Sequence, residues 1–332
     1  MNKALLISVF IFYKAVFLSA QTTEEQGSST PNTVSVRSVF SSQKLNDNTI
    51  IINGEGATSY LLIGLKEAIV IDAGMSRENI RAYAQSLTTL PVSAVINTHS
   101  HFDHTAGNGF FDIIYATQGI SRSAKNTMGG NPSNYPLNYS FTIINDGDII
   151  DIGGRPLRII ELDCHSPGNI AILDSANGFL FPGDELEQGQ VLLLPGYAEE
   201  KGQIHACPAA TVEKYLNAMK KLAQLKSQFN AICPGHNGSP IGTEYLDDYI
   251  ELAQRILDGY EGKKDCSNGS SYNSRMGHFP YENANYRRGE WKGASLIYCA
   301  DLIWNKDYEK KPCQVEPATP LHVNSSQSIY NW

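Results

Sequence analysis

From Thr49 onward the chain alternates short apolar runs with breaks rich in glycine and polar residues. Thr49–Asn53, Ser59–Ile63 and Ala68–Ile71 have the length and branched-residue content of strands, and glycines punctuate them. The period then changes. Ile80, Tyr83, Ala84 and Leu87 fall on one helical face, with Ser76 placed to cap the helix and Pro91 to end it. Residues 92–97 return to a strand pattern and run straight into a histidine-rich segment. A second series follows Gly109. Residues 112–116, 141–144, 157–162, 170–173 and 179–181 read as strands. Pro208 opens a helix whose stripe is Val212, Tyr215, Leu216, Met219 and Leu222. One more strand spans 229–233, and Thr243 caps a last helix to about Asp258, with Leu246, Tyr249, Ile250, Ala253 and Leu257 inward. Strands in groups, broken by a few helices, predict a layered α/β domain over residues 34–258 rather than an all-β sandwich.

The two ends differ from this middle. Lys3 precedes an apolar run over residues 4–12, resumed at 15–18 after Tyr13 and Lys14, and small Ser19 and Ala20 follow. That order predicts a secretory signal peptide over residues 1–20. Lys14 interrupts the run and argues against a spanning helix, so the expectation is a secreted, extracellular chain with no stable membrane association once the signal is removed. Residues 21–33 are polar and aperiodic and read as a flexible leader. Residues 259–332 are rich in Tyr, Asn, Gly and Lys, hold three of the six cysteines, and read as an irregular C-terminal extension.

Composition narrows the class further. The net charge is -8 and no lysine or arginine run occurs, so the basic footprint of a nucleic-acid partner is missing. The cysteines are Cys164, Cys207, Cys233, Cys266, Cys299 and Cys313, and an even count in a secreted chain suggests disulfides. Cys164 and Cys233 both end core strands, which leaves two readings open for them: a mutual disulfide or buried thiols. Glycosylation sequons begin at Asn138, Asn237, Asn268 and Asn324.

The chemistry concentrates in Thr98-His99-Ser100-His101-Phe102-Asp103-His104, directly after a strand. Three histidines and an aspartate within six residues, from a chain with 8 histidines in all, point to metal binding rather than to a polar surface loop. Extended alternation puts His99, His101 and Asp103 on one side and His104 on the other, toward a neighbouring ion.

This HxHxDH run resembles the signature of the metallo-β-lactamase superfamily. Four further motifs follow the same order: Val70-Ile71-Asp72-Ala73-Gly74, His165-Ser166-Pro167-Gly168, Phe181-Pro182-Gly183-Asp184 and Pro234-Gly235-His236. The resemblance spans residues 34–258 and implies a four-layer αββα sandwich. It also implies a ligand set. One metal would be held by His99, His101 and His165, the other by Asp103, His104 and His236, with Asp184 bridging and Asp72 supporting the ligand loop from behind. Two Zn2+ are expected, with Fe or Mn as substitutes. By the same resemblance the chain is a metal-dependent hydrolase of a small-molecule substrate, in which a metal-activated hydroxide attacks an ester, lactone, thioester or β-lactam carbonyl and Asp103 orients the water or shuttles its proton.

Residues separate the branches. Flavodiiron proteins carry Glu where this chain has His101, and true zinc β-lactamases lack the bridging carboxylate supplied here by Asp184. The ligand set is therefore similar to that of glyoxalase II and the lactonases. Lys263, Lys264, Arg287 and Arg288 do not align with the glutathione-binding helices of glyoxalase II. The bond type stays open, and Tyr197, His205, Tyr272 and His278 are the loop residues that could reach the substrate side. Two other readings remain: a mononuclear iron oxidoreductase on the same frame, and a non-catalytic metal-binding protein. Oligomeric state is not legible.

Overall fold

The computed structural model describes residues 38–124, 135–193, 195–200, 203–208, 210–263 and 286–310. Two sheets lie at its centre. The first holds β1 (Ser41–Asn46), β2 (Thr49–Asn53), β3 (Ser59–Ile63), β4 (Ala68–Ile71), β5 (Val92–Ile96), β6 (Ile113–Ala116) and β7 (Phe141–Ile143) in that order. It is antiparallel from β1 to β4 and parallel from β4 to β7. Its parallel half forms by crossovers that carry α1 (Ile80–Ser86), α2 (Phe102–Thr105) and α3 (Gln118–Ser123). The second sheet contains β8 (Ile149–Asp151), β9 (Pro156–Glu161), β10 (Ile170–Asp174), β11 (Phe179–Gly183) and β15 (Ala231–Pro234), ordered β15-β11-β10-β9-β8.

Period-2 alternation assigns each strand's side chains to two layers. Tyr60, Leu62, Ile69, Ile71, Ala94 and Ile96 of the first sheet meet Leu157, Ile159, Ile170, Ile172, Phe179 and Phe181 of the second in one buried cluster. The alternate residues Leu61, Val70, Val92 and Val95 pack outward on Ile80 and Ala84 of α1. Ile160, Leu173, Leu180 and Ile232 pack outward on α4 (Val212–Ala223) and α5 (Glu244–Leu257). Helix, sheet, sheet, helix is the four-layer αββα sandwich that the motifs implied.

Several local expectations change. The cap of α1 is Asn79, whose Oδ1 accepts the Ala82 N–H at 2.9 Å, while the Ser76 hydroxyl is taken by the Glu78 N–H three residues earlier in the chain. Pro208 does not open α4. It ends β14 (Gln203–Pro208), the second arm of a hairpin with β13 (Pro195–Glu200), and Thr211 caps the helix through Lys214 N–H. Within the segment expected to be irregular, β16 (Tyr286–Trp291) and β17 (Ala294–Cys299) form a hairpin, with β17 wholly buried and paired in parallel to β12 (Val191–Leu192). Ala294, Leu296 and Tyr298 join the α4–α5 cluster, and a short α6 (Asn305–Lys310) follows. Among the described residues no helix is long and apolar enough to cross a membrane. The segments expected to be a signal peptide and leader over residues 1–33, and Lys264, Cys266, Asn268, Tyr272, His278, Cys313 and Asn324, lie outside the described residues.

The cysteine expectation is corrected where it can be seen. Cys164 and Cys233 are buried free thiols. Cys164 belongs to the layer between the second sheet and its helices, whereas Cys233 belongs to the layer between the two sheets, so opposite faces of one sheet keep them unbridged. Burial also pushes the Cys233 thiol up to about 12. Both thiols are therefore expected to resist alkylation in the native protein and to react in denaturant without reductant. Mass spectrometry of the labelled peptides checks this, and a linked Cys164–Cys233 peptide would contradict it.

Candidate metal centre

Five strand ends build the site. β4, β5, β9, β11 and β15 all stop at the same edge of the sandwich, and the residues just past them are Asp72, His99, His165, Asp184 and His236. The turn after β15 brings backbone against the site. A Cβ on Gly235 would stand 2.4 Å from Asp184 Oδ1 and 2.6 Å from His104 Cε1, so only glycine fits there. Gly183, at φ +58, similarly lets Thr98 approach, since its Cβ would lie 2.4 Å from Thr98 Oγ1.

The extended alternation expected after β5 holds only as far as His101. That residue occupies the N-cap position of α2, and Thr105 Oγ1 donates to His101 O at 2.9 Å to close the turn. The helical turn carries Asp103 away from His99 and His101 and groups it with His104 and His236. A reciprocal amide pair, Asn97 Nδ2 to Asn108 Oδ1 at 3.0 Å and Asn108 Nδ2 to Asn97 Oδ1 at 2.7 Å, pins the loop on both sides.

Seven side chains converge in two groups: His99, His101, His165 and Asp184, then Asp103, His104 and His236. His101 Nδ1 lies 3.0 Å from both His99 Nε2 and His165 Nε2. In the second group His236 Nε2 is 3.0 Å from Asp103 Oδ2 and 3.3 Å from His104 Nε2. Asp184 faces both groups. Its Oδ2 is 3.7 Å from His99 Nε2, 3.6 Å from His165 Nε2 and 3.4 Å from His236 Nε2, and its Oδ1 is 3.2 Å from His104 Nε2. A tetrahedral zinc with nitrogen ligands at about 2.0–2.1 Å has edges of about 3.3 Å, so these separations are those of coordination polyhedra.

Partners behind the ring fix which nitrogen faces inward. His165 Nδ1–H donates to Leu192 O and His104 Nδ1–H to Asp72 Oδ2, both at 2.8 Å. A carbonyl and a carboxylate only accept, so each Nδ1 holds a proton and each Nε2 is the nitrogen turned toward the site. Asp72, buried and at φ 56, also accepts the Thr98 N–H at 2.8 Å and its hydroxyl at 2.7 Å, and Thr98 Oγ1 stands 3.1 Å from His99 Nδ1. One carboxylate thus orients a ligand in each group.

The charges fit a missing cation. Burial, aided by His165, pushes His101 down to about 3, and burial likewise holds His99 and His165 below the usual imidazole range. Three neutral imidazoles therefore meet there, with His101 Nδ1 3.0 Å from both His99 Nε2 and His165 Nε2. Asp184 Oδ1 is buried without a hydrogen-bond partner even though His104 Nε2 stands nearby. In the second group Asp184 raises His236 to about 9. Burial works against a raised His104, but Asp184, Asp72 and Asp103 outweigh it. Burial works against a lowered Asp103 as well, yet His104 and His236 hold it at about 2. Protons on His104 and His236 compete with a cation for the same nitrogens. Metal loading at pH 7.5 is expected to release about two protons, with affinity rising as the pH approaches about 9. Calorimetry in two buffers of different ionisation enthalpy measures the release; none at all would contradict that competition.

Sequence reasoning missed Glu185, Glu187 and the Leu192 carbonyl. Glu185 Oε2 accepts the His165 N–H at 2.8 Å, and Glu187 Oε1 accepts Asn237 Nδ2 at 3.1 Å. That second bond engages the amide of the Asn237 sequon, whereas Asn138 is exposed. The side chains of Tyr197 and His205 lie outside the described residues; their backbones sit in the β13–β14 hairpin.

Comparison with known proteins agrees with this geometry. Residues 52–236 match the family described as the metallo-beta-lactamase superfamily. An acyl-coenzyme A thioesterase of Homo sapiens is 24% identical over 240 residues, covering 60% of this chain and 81% of the relative. A hydroxyacylglutathione hydrolase of Yersinia pestis is 28% identical over 199 residues, covering 58% of this chain and 63% of the relative. A solved metallo-beta-lactamase from Pontibacter korlensis superposes with a TM-score of 0.50 at 16% identity, over 65% of this chain and 99% of that one, a likeness of fold. With more than half its length matched to the family and the αββα sandwich in place, the chain belongs to the metallo-beta-lactamase superfamily.

Proposed function

We propose that the chain is a secreted, dinuclear metal-dependent hydrolase that cleaves the carbonyl of a small acyl substrate, a thioester before an ester, lactone or β-lactam. The observation that carries this reading is Asp184, whose two oxygens face both groups of converging nitrogens while one of them lacks any hydrogen bond. His99, His101 and His165 would hold one ion, Asp103, His104 and His236 the other, and Asp184 both. The imidazole-rich set suits zinc. When bound, such a pair of ions supplies Lewis acidity and a nucleophile at neutral pH.

The chain's own residues supply access and orientation. His99 and His104 are fully buried, whereas the Asp103 and His236 side chains keep 34% and 30% of their exposure, so the open side of the centre is theirs. Asp103, ionised across the neutral range, presents Oδ2 there as an acceptor that orients an incoming donor. A carboxylate held at about 2 is a weak base, which makes orientation its main contribution.

The preference for thioesters rests on the relatives. The human one is named a thioesterase, and the bacterial ones hydrolyse hydroxyacylglutathione, itself a thioester. Secretion rests on Lys3, the apolar run and Ser19-Ala20. Metal-loaded protein should release free thiol from acyl-coenzyme A or acylglutathione esters, read with a thiol-reactive dye. Failure on every thioester, ester, lactone and β-lactam offered would contradict the hydrolase reading.

A further inference from the structure

We infer that Glu185 and Glu187 are positioning residues, each setting the geometry of one of the two metal groups. The inference rests on the dinuclear reading above and adds two residues outside the ligand set. Asp184, Glu185 and Glu187 follow β11 in a single stretch, but their side chains go three ways. Asp184 faces the centre. Glu185, fully buried, turns to the loop of His165 and accepts that ligand's own N–H at 2.8 Å. Glu187, 5% exposed, turns to the loop of His236 and accepts the side-chain amide of the next residue, Asn237, at 3.1 Å. Asn237 sits at φ 59, a left-handed turn that such a bond helps to hold.

The backbone of each of the two residues is anchored from the helical layer. Tyr215 of α4 donates its hydroxyl to Glu185 O at 3.1 Å. Tyr249 of α5 donates to Glu187 O and also to Ser295 O of β17, both at 3.1 Å. The stretch ends at Leu192, whose carbonyl accepts His165 Nδ1–H. Two chains of contacts therefore run from the outer helices to the centre: α4 through Glu185 to His165, and α5 through Glu187 and Asn237 to His236.

The arrangement carries a stability cost. Glu185 Oε1 and Glu187 Oε2 are buried with no hydrogen-bond partner, so each carboxyl is held there at a desolvation cost. A carboxylate kept there acts on what its other oxygen holds, and in both cases that is a ligand loop.

Metal affinity measured one group at a time tests the inference. In full-length protein, His236→Ala leaves the group of His99, His101 and His165, and His165→Ala leaves the group of Asp103, His104 and His236. Each metal-stripped background is titrated with Zn2+ against a chelating indicator. In the His236→Ala background, Glu185→Met should weaken binding by about 10–100-fold and Glu187→Met by less than about threefold. The His165→Ala background should show the reverse. Glu185→Gln and Glu187→Gln keep an acceptor oxygen and should restore most of the affinity. If a Met variant does not fold, Glu185→Asp, which draws the oxygen back by one methylene, or Asn237→Ala, which removes the donor, carries the same expectation. Unchanged affinity, or the same loss in both backgrounds, would overturn the inference. A wild-type chain that binds no metal would instead overturn the dinuclear reading, and this inference with it.

Discussion

Asp184→Asn is expected to lower kcat/KM by at least ~10³-fold while the fold survives. The argument is electrostatic. Among the described residues, Asp184 is the one whose side-chain oxygens lie within 3.7 Å of histidine nitrogens in both groups. Asparagine keeps the shape and one acceptor but removes one of two negative charges from a centre that otherwise offers five imidazoles and Asp103. A metal pair contributes several kcal/mol of transition-state stabilisation, and losing about 4 kcal/mol corresponds to about 10³ in rate. Far-ultraviolet circular dichroism should remain native, because the Asp184 side chain serves the centre rather than the sandwich. Unchanged turnover with both ions retained would remove Asp184 from the account.

The largest loss of stability is expected at the opposite edge of the sandwich. Arg155 and Asp174 form an ion pair with side chains only 3% and 0% exposed. Arg155 Nε and Nη2 both reach Asp174 Oδ2, at 2.9 and 2.5 Å. Nη1 donates to the Asn48 and Ile63 carbonyls, and Nη2 to Thr49 Oγ1. One guanidinium thus ties β2 and β3 of the first sheet to β10 of the second. Arg155→Met would leave the buried Asp174 carboxylate with only the Asn177 N–H and amide for partners, and should cost about 3–5 kcal/mol. For a domain of this size that is roughly 10 °C in Tm. The double variant Arg155→Met, Asp174→Leu should recover much of the loss, because no charge is then stranded. Denaturant melts of both variants measure this. A single variant as stable as wild type would show that the pair is not buried in solution.

The seven side chains of the two converging groups were legible because they sit in short motifs directly after strands, where order along the chain reports position at one edge. The layered α/β class was legible in the grouping of strands and helices, but the faces were not, since Tyr60, Leu61 and Leu62 or Ile69, Val70 and Ile71 are all apolar and yet divide between two layers. Glu185 and Glu187 were not, because their partners lie 20 and 50 residues away and nothing local separates a buried carboxylate from an acidic turn. The fate of Cys164 and Cys233 depends on which sheet face each occupies, which strand ends alone do not reveal. The β16–β17 hairpin was hidden by Arg287, Arg288, Glu290 and Lys292, whose charges obscure the buried run that follows. Asp103 changed sides because a single helical turn replaced the extended chain that alternation assumes.

Metal content tests the central claim most directly. The protein, purified without added metal, is analysed for elements against protein concentration. The account predicts two divalent ions per chain, zinc foremost, falling to at most one in His165→Ala. One iron per chain, or no metal after reconstitution, would contradict it.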